Sequence, residues 1–379
     1  MSESGQIPVS LLTGFLGSGK TTLLNRLLKR PDMGETAVIV NEFGEVGLDH
    51  LLMESGSEDM TVLNSGCLCC TVRGDLIETM GRLFVRRAKG EVPAFKRLLI
   101  ETTGLADPAP VLHTLMTDPL LAARYRLDSV IATVDAVNGQ STLDNHEEAV
   151  KQAAVADRLL LTKTDLATPE QVAALTARLK ALNPGAPLLE VRNGDIAPAE
   201  LFNAGLYNPE TKTADVRGWL REEAFAAAHG GHDHHHDHDH GDEHHHHHGA
   251  GHGQDPHDVN RHDEQIRAFC LVLEQPLPWQ AVTSALDALV SYRGPDMLRL
   301  KGILNVEGSD KPVVVHGVQH VFHPPAMLDE WPDEDRRSKL VFITRNIERG
   351  TIERLFAAFT DQAREAEQNS WDDLPAARP

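Results

Sequence analysis

Over the first two hundred residues, short and nearly continuous apolar runs alternate with longer stretches of helical periodicity. The runs are "VSLL" (9–12), "TAVIV" (36–40), "TVLN" (61–64), "RLLIE" (97–101), "SVIATVDA" (129–136), "RLLLT" (158–162) and "PLLEV" (187–191). A strand without polar alternation is buried on both faces. Strands of that kind, separated by helix-length segments, predict a mostly parallel sheet covered by helices on both sides. The stretch "TTLLNRLLKR" (21–30) sets Leu23, Leu24, Leu27 and Leu28 on one helical face.

The pattern then breaks. Residues 229–262 read "HGGHDHHHDHDHGDEHHHHHGAGHGQDPHDVNRH", with many glycines and almost no apolar residue. Such a tract buries too little surface to offset the entropy of ordering, so a disordered linker is expected over 223–264. Periodicity returns at "IRAFCLVLEQ" (266–275). A helix near 278–292 follows, then strands at 297–306, 312–322 and 339–345 and a helix at 351–363. A strand, a helix, three strands and a helix predict a small α+β domain with an antiparallel sheet. The expected plan is therefore an α/β nucleotide-binding domain over 1–222, the linker, an α+β domain over 265–365 and a loose tail over 366–379.

Composition narrows the class. The chain of 379 residues has 41% hydrophobic and 24% charged residues, as soluble two-domain proteins do. No apolar run reaches the roughly 18 residues of a membrane span, so no membrane partner is expected. The first residues lack a basic stretch leading into an apolar one, which points to the cytoplasm. A net charge of −20 argues against nucleic acid, whose phosphates need a basic surface.

The first polar motif sits where an apolar run meets a helix. "GFLGSGKT" (14–21) has the spacing of a phosphate-binding P-loop, with a predicted strand before it and a helix after. Gly14, Gly17 and Gly19 let backbone N–H groups, with that of Ser18, curl around phosphate oxygens. The helix that begins at Lys20, Thr21 and Thr22 offers its positive end. Lys20 reaches the β- and γ-phosphates, and the Thr21 hydroxyl is a ligand for Mg²⁺. "ETTG" (101–104) closes an apolar strand. Glu101 there suits the magnesium shell or an attacking water, and the Gly104 amide suits the γ-phosphate. "TKTD" (162–165) closes another. With Thr162 and the Lys163 stem, Asp165 fits guanine, whose N1–H and 2-amino groups both donate. Adenine would leave that carboxylate unpaired. GTP is the expected nucleotide.

Three of the four cysteines, Cys67, Cys69 and Cys70, fall within "GCLCC" (66–70). As core residues, adjacent Cys69 and Cys70 would face opposite sides of a strand. As a redox pair, Cys67 and Cys70 have suitable spacing, but the middle cysteine is left over. As a soft metal site, three thiolates suit Zn²⁺, with Cu(I) and Co²⁺ also compatible. A fourth position then remains for Glu42, a water or a partner's ligand. The histidine tract adds many weak ligands. A flexible tether of about 34 residues spans roughly 30 Å, enough to raise the local metal concentration at the thiols.

Taken in order, "TGFLGSGKTT", "VNEFGEVGLD", "NSGCLCCTVRGDL", "ETTGLADPAP" and "TKTDL" resemble the CobW-type metallochaperone GTPases, relatives of the nickel-chaperone GTPases UreG and HypB. "RLKGILNV" and "VVVHGVQHVF" are similar to that family's C-terminal domain. The resemblance covers most of residues 7–360 apart from the linker. It implies that 41–49 form the first switch, with catalytic Glu42 near both magnesium and cargo. It further implies that Cys67, Cys69 and Cys70 carry the metal, and that GTP hydrolysis drives delivery to a client apo-metalloprotein. "ETTGLADPAP" favours the zinc-handling branch. The alternatives are a cobalt chaperone of cobalamin synthesis and a non-catalytic zinc buffer or sensor. No arginine finger or catalytic glutamine is readable after Gly104, so slow unaided turnover is expected. A homo-oligomer is left open.

Overall fold

The computed structural model describes residues 6–40, 62–64, 72–202, 266–322 and 324–372. The N-terminal part runs β1 (Ile7–Gly14), α1 (Lys20–Leu28), β2 (Thr36–Val40), β3 (Val62–Asn64), α2 (Val72–Ala88), β4 (Arg97–Glu101), α3 (Ala109–Thr117) and α4 (Pro119–Ala122). It continues through β5 (Tyr125–Asp135), α5 (Gly139–Asn145), α6 (Glu147–Val155), β6 (Arg158–Thr162), α7 (Pro169–Leu182), β7 (Leu188–Val191) and α8 (Pro198–Leu201). The seven strands form one sheet in the order β3-β2-β4-β1-β5-β6-β7. Each of its pairings is parallel.

Successive residues of these strands serve opposite layers, as the pleat requires. Leu12, Val38, Leu99 and Ile131 pack with Leu23, Leu24, Leu27 and Leu28 of α1. Their neighbours Leu11, Ile39, Ile100 and Val130 pack on the other side with Leu76 and Met80 of α2 and Leu112 and Leu115 of α3. Continuous apolar runs are therefore needed on both sides, which is why the strands read without alternation.

The C-terminal part runs β8 (Ile266–Leu273), α9 (Trp279–Arg293), β9 (Met297–Leu304), β10 (Val313–Val318), β11 (Val321–Phe322), β12 (Ala326–Met327), β13 (Ser338–Arg345) and α10 (Arg349–Asp372). Its antiparallel sheet has the order β11-β10-β9-β13-β8, with β12 on β10. The expected strand 312–322 is divided by a turn at Gln319, whose φ is 51°. The last helix reaches Asp372, seven residues into the stretch 366–379 that the sequence suggested was loose.

This second sheet is covered on both faces. Phe269, Leu271, Leu340 and Phe342 meet α9 and α10 through Val282, Leu286, Ile352 and Phe356. The alternate residues Ala268, Cys270, Val341 and Ile343 join a cluster with Leu143, Ala149, Val150 and Ala153 of α5 and α6 and Leu175 of α7. The fourth cysteine, Cys270, is thus a buried core residue. Charge crosses the same boundary. Arg299 and Lys301 of β9 reach Asp157, just past α6, at 2.5 and 2.6 Å, and Arg345 of β13 pairs with Glu147 at the start of α6. Helix α6 lies between the two sheets and is buried over most of its length.

Candidate functional site

The loop between β1 and α1 lies at the carboxyl edge of the parallel sheet, where ligands of open α/β sheets bind. Gly14 cannot be another residue. A Cβ there would stand 2.3 Å from the Thr133 hydroxyl and 2.8 Å from that of Ser18, and its φ is 137°. Gly17 and Gly19 are also left-handed. The Ser18 hydroxyl pairs with Thr133 at 2.7 Å and faces inward, bracing the loop against β5. Thr21 and Thr22 are exposed at the start of α1.

Lys20 is buried, and its ammonium donates to the carbonyls of Gly14 at 2.7 Å and Phe15 at 3.1 Å. Burial lowers its pKa, and the nearby Glu101 carboxylate pulls it partly back. Those loop carbonyls hold the cation across the turn. Glu101 ends β4, in register with Leu12 of β1 and Val40 of β2, and is 5% exposed. The Thr21 hydroxyl donates to its Oε1 at 3.3 Å. Two oxygen groups suited to a hard cation thus meet beside the phosphate loop, as bound Mg²⁺ would require.

After Glu101 the chain turns over the loop. Thr102 N–H donates to Leu12 O at 2.9 Å, and its hydroxyl donates to that of Thr13 at 2.9 Å. Gly104 presses on the phosphate loop so closely that a Cβ would lie 2.5 Å from Leu16 N. The 101–104 motif and the P-loop form one packed unit.

The third motif is tied to the same unit. The Thr162 hydroxyl donates to Ser18 O at 2.7 Å and to Val134 O at 3.2 Å. Thr162 therefore positions the phosphate loop with the group expected to meet the nucleotide. Lys163 adopts φ 57°, and its ammonium binds Asp135 Oδ2 at 2.7 Å. Asp165 is exposed two residues further on. Sequence patterns missed Asp135. It ends β5, accepts from Val137 N–H at 2.8 Å and from the Asn138 amide at 3.0 Å. Burial raises its pKa, but the bonds from Lys163, Asn138 and Val137 outweigh that and hold the carboxyl below its ordinary value. Phe15, Ser18, Asp135, Asn138, Gln152 and Lys163 line a cavity of about 220 Å³ behind the loop. Gln152 is a second residue that no motif flagged.

Cys67, Cys69, Cys70 and Glu42 lie outside the described residues, as do the 41–49 switch and the 223–264 linker. The described residues hold the nucleotide half of the expected machinery.

Known protein families match both parts of the chain. Residues 8–190 match the CobW/HypB/UreG nucleotide-binding domain, and residues 266–360 match the cobalamin synthesis protein cobW C-terminal domain. The zinc chaperone YjiA of Escherichia coli (strain K12) is 33% identical over 352 residues, which is 93% of this chain and 98% of that one. The zinc chaperone CobW of a Sinorhizobium species is 28% identical over 377 residues, 90% of this chain and 94% of that one. The crystal structure of zinc-bound YjiA GTPase from E. coli superposes with a TM-score of 0.66 at 29% identity, covering 93% of this chain and 99% of that one. A variant of that GTPase with a glutamate and two cysteines replaced by alanine was also solved with zinc bound.

Proposed function

The chain belongs to the CobW/HypB/UreG family, and from that premise we propose that it is a GTP-hydrolysing zinc chaperone that delivers its metal to client apo-metalloproteins. The observation that carries this reading is the Thr162 hydroxyl on Ser18 O at 2.7 Å, which ties the 162–165 motif to the phosphate loop. Its zinc-chaperone relatives support the cargo.

In this reading the P-loop amides and the start of α1 bind the β- and γ-phosphates. Lys20 exchanges its Gly14 and Phe15 carbonyl partners for phosphate oxygens, which restores full charge pairing to a buried ammonium. Thr21 and Glu101 would hold Mg²⁺, which neutralises charge on the transferred phosphate when bound. Glu101 also stands where it can orient the attacking water, and Gly104 N–H stands by for the γ-phosphate. The Lys163 stem covers the base while its ammonium stays on Asp135, and Asp165 accepts from guanine. Glu42 would link the nucleotide to the cargo site formed by Cys67, Cys69 and Cys70. Thiolate ligands of this kind require a reducing compartment, which favours the cytoplasm.

Delivery needs a metal affinity that differs between nucleotide states. The test is zinc titration against a competing chelator with GDP and with a non-hydrolysable GTP analogue. It is then repeated with Cys67, Cys69 and Cys70 changed to serine, and with cobalt. Tight binding in one nucleotide state, lost in the triple-serine variant, is expected. The E. coli relative retained zinc without two of its cysteines, so the decisive reading is the affinity of the nucleotide-sensitive step and not the presence of zinc. Equal affinities in the two states would leave a zinc buffer with a GTPase attached. A cobalt preference in the GTP state would move the chain to cobalt delivery.

A further inference from the structure

Helix α6 grips the loop that follows Glu101. The side-chain amide of Gln152, 1% exposed, donates to Gly104 O at 3.1 Å and to Ala106 O at 3.0 Å. The adjacent Lys151 reaches Asp107 at 3.5 Å. Two hydrogens on one nitrogen thus meet two carbonyls of the loop. The amide cannot be reversed, because Oε1 would then face both carbonyl oxygens.

Packing alone does not account for this residue. Gln152 Oε1 is buried with no partner among the described residues. A buried acceptor left unpaired is unfavourable, and a leucine or methionine would fill the space without it. What the glutamine adds over an apolar side chain is its NH₂, bonded to Gly104 O and Ala106 O. What it holds is the backbone of Gly104, which lies against Leu16 of the phosphate loop.

The carbonyls of Ala153 and Ala154 near the end of α6 lie within 3.1 Å of the Asn183 amide of its own domain, and both ends of the helix also reach the C-terminal sheet. Glu147 at its start pairs with Arg345 of β13. At its end, Val155 O accepts from Arg299 of β9 at 2.8 Å, and Asp157 takes Arg299 and Lys301. The helix is therefore clamped at both ends by the C-terminal domain and in its middle by the loop. A shift of Gly104 must break the Gln152 bonds or move α6 against β9 and β13.

We propose that Gln152 is a positioning residue for GTP hydrolysis, holding the Gly104 and Ala106 carbonyls so that the Gly104 amide meets the γ-phosphate, and that through it α6 reports the nucleotide state to the C-terminal sheet. This rests on reading Gly104 as the γ-phosphate contact of the GTPase site. The residue acts through the loop and touches no nucleotide. Its loss therefore slows hydrolysis and spares the binding of GDP, which has no γ-phosphate.

The experiment uses the full chain with Gln152→Ala and with Gln152→Met, which keeps the volume and removes the donor. The kcat of both falls about tenfold, the effect of a lost hydrogen-bonded constraint. GDP affinity stays within about twofold. Hydrogen exchange at the β9 amides differs between GDP and a GTP analogue in the wild type, and the difference is lost in both variants. Should the alanine variant fail to fold, the methionine variant decides. Wild-type kcat in Gln152→Met, or an equal loss in GDP affinity, would overturn the positioning role. Exchange in β9 that ignores nucleotide in the wild type, or still follows it in the variants, would overturn the relay. Lys20→Ala, run in parallel, separates the two levels. If it abolishes hydrolysis while Gln152→Met does not slow it, only this inference fails. If Lys20→Ala still turns over, the P-loop reading fails with it.

Discussion

Lys163 occupies a left-handed backbone position that its own side chain does not favour, with φ of 57°. The turn is maintained by its partners. Leu166 N–H donates to Lys163 O at 3.0 Å, and the ammonium is held by Asp135. The stem is thereby laid flat and the next acid is carried outward. Asp165 is exposed. Its replacement by alanine removes the acceptor for guanine N1–H and the 2-amino group, and is expected to weaken GTP binding by about 1–3 kcal/mol or more. Competition between GTP and ATP checks it, since the variant should also lose its preference. Equal hydrolysis of both nucleotides by the wild type would remove the guanine assignment. Lys163 and Asp165 stood out in the sequence because they belong to one contiguous four-residue motif, 162–165. Asp135 was not readable. It acts from a different strand, 28 positions away, and only the β5–β6 pairing of Asp135 with Thr162 brings it beside the lysine. Gln152 escaped for the same reason, since its partners at Gly104 and Ala106 lie 48 and 46 positions away.

At the level of elements, the layers of the fold were legible because burial on two faces leaves continuous apolar runs, and all seven N-terminal runs became neighbours in one sheet. What the pattern could not show is where an apolar run bends. Residues 312–322 read as one strand, yet Gln319 turns left-handed and His320 follows, so Val318 pairs with Val321 across a hairpin. Apolar side chains flank the Gln319–His320 turn on both sides and hide it. The loose tail was misread for the opposite reason. Residues 366–372 are polar apart from Ala366 and Trp371 and their sequence lacks a core-facing stripe, but they continue a helix already nucleated and packed through Ile352 and Phe356. The histidine tract is an element of chemistry whatever its conformation. Fifteen of the 21 histidines fall within 229–262. Deleting those residues should lower total zinc capacity and leave the tight, nucleotide-sensitive step and GTP turnover in place. The wild-type excess should already shrink below about pH 6, because an imidazole of pKa near 6.5 is then protonated and cannot ligate. Equilibrium dialysis of both proteins at pH 7.5 and pH 5.5 measures it. Loss of the tight step on deletion would make the tract the primary site.

On the scale of the whole molecule, a buried carboxylate ties the two domains together beside the Glu147–Arg345 pair. Asp157 is 4% exposed, follows α6 and accepts from Val130 N–H at 2.9 Å within its own domain. From the other domain it receives Arg299 and Lys301 at 2.5 and 2.6 Å. Burial alone would raise its pKa, but the two cations and the Val130 N–H outweigh it and hold the carboxyl at about 2. Burial also pushes Lys301 down, with Asp157 pulling it back. The cluster is thus held together by its acid, and the cations depend on it. Its pKa is lower folded than unfolded, so its contribution is full above the ordinary carboxylate value of about 3.9 and is lost as pH falls towards 2. That contribution is on the order of 2 kcal/mol. Removing the acid does more than remove a pair, because it strands two buried cations. Asp157→Ala is expected to destabilise the chain by about 3–5 kcal/mol. The triple change Asp157→Leu, Arg299→Met and Lys301→Met should recover most of the loss, since apolar side chains of similar size can replace a buried ionic cluster. Urea unfolding at pH 7 and at pH 3 reads both effects. The gap between wild type and the triple variant should change in favour of the triple variant at the lower pH, where Asp157 begins to bind its proton only in the unfolded chain. An Asp157→Ala protein as stable as the wild type would mean that the apolar contacts of Ala268, Cys270, Val341 and Ile343 hold the domains together unaided.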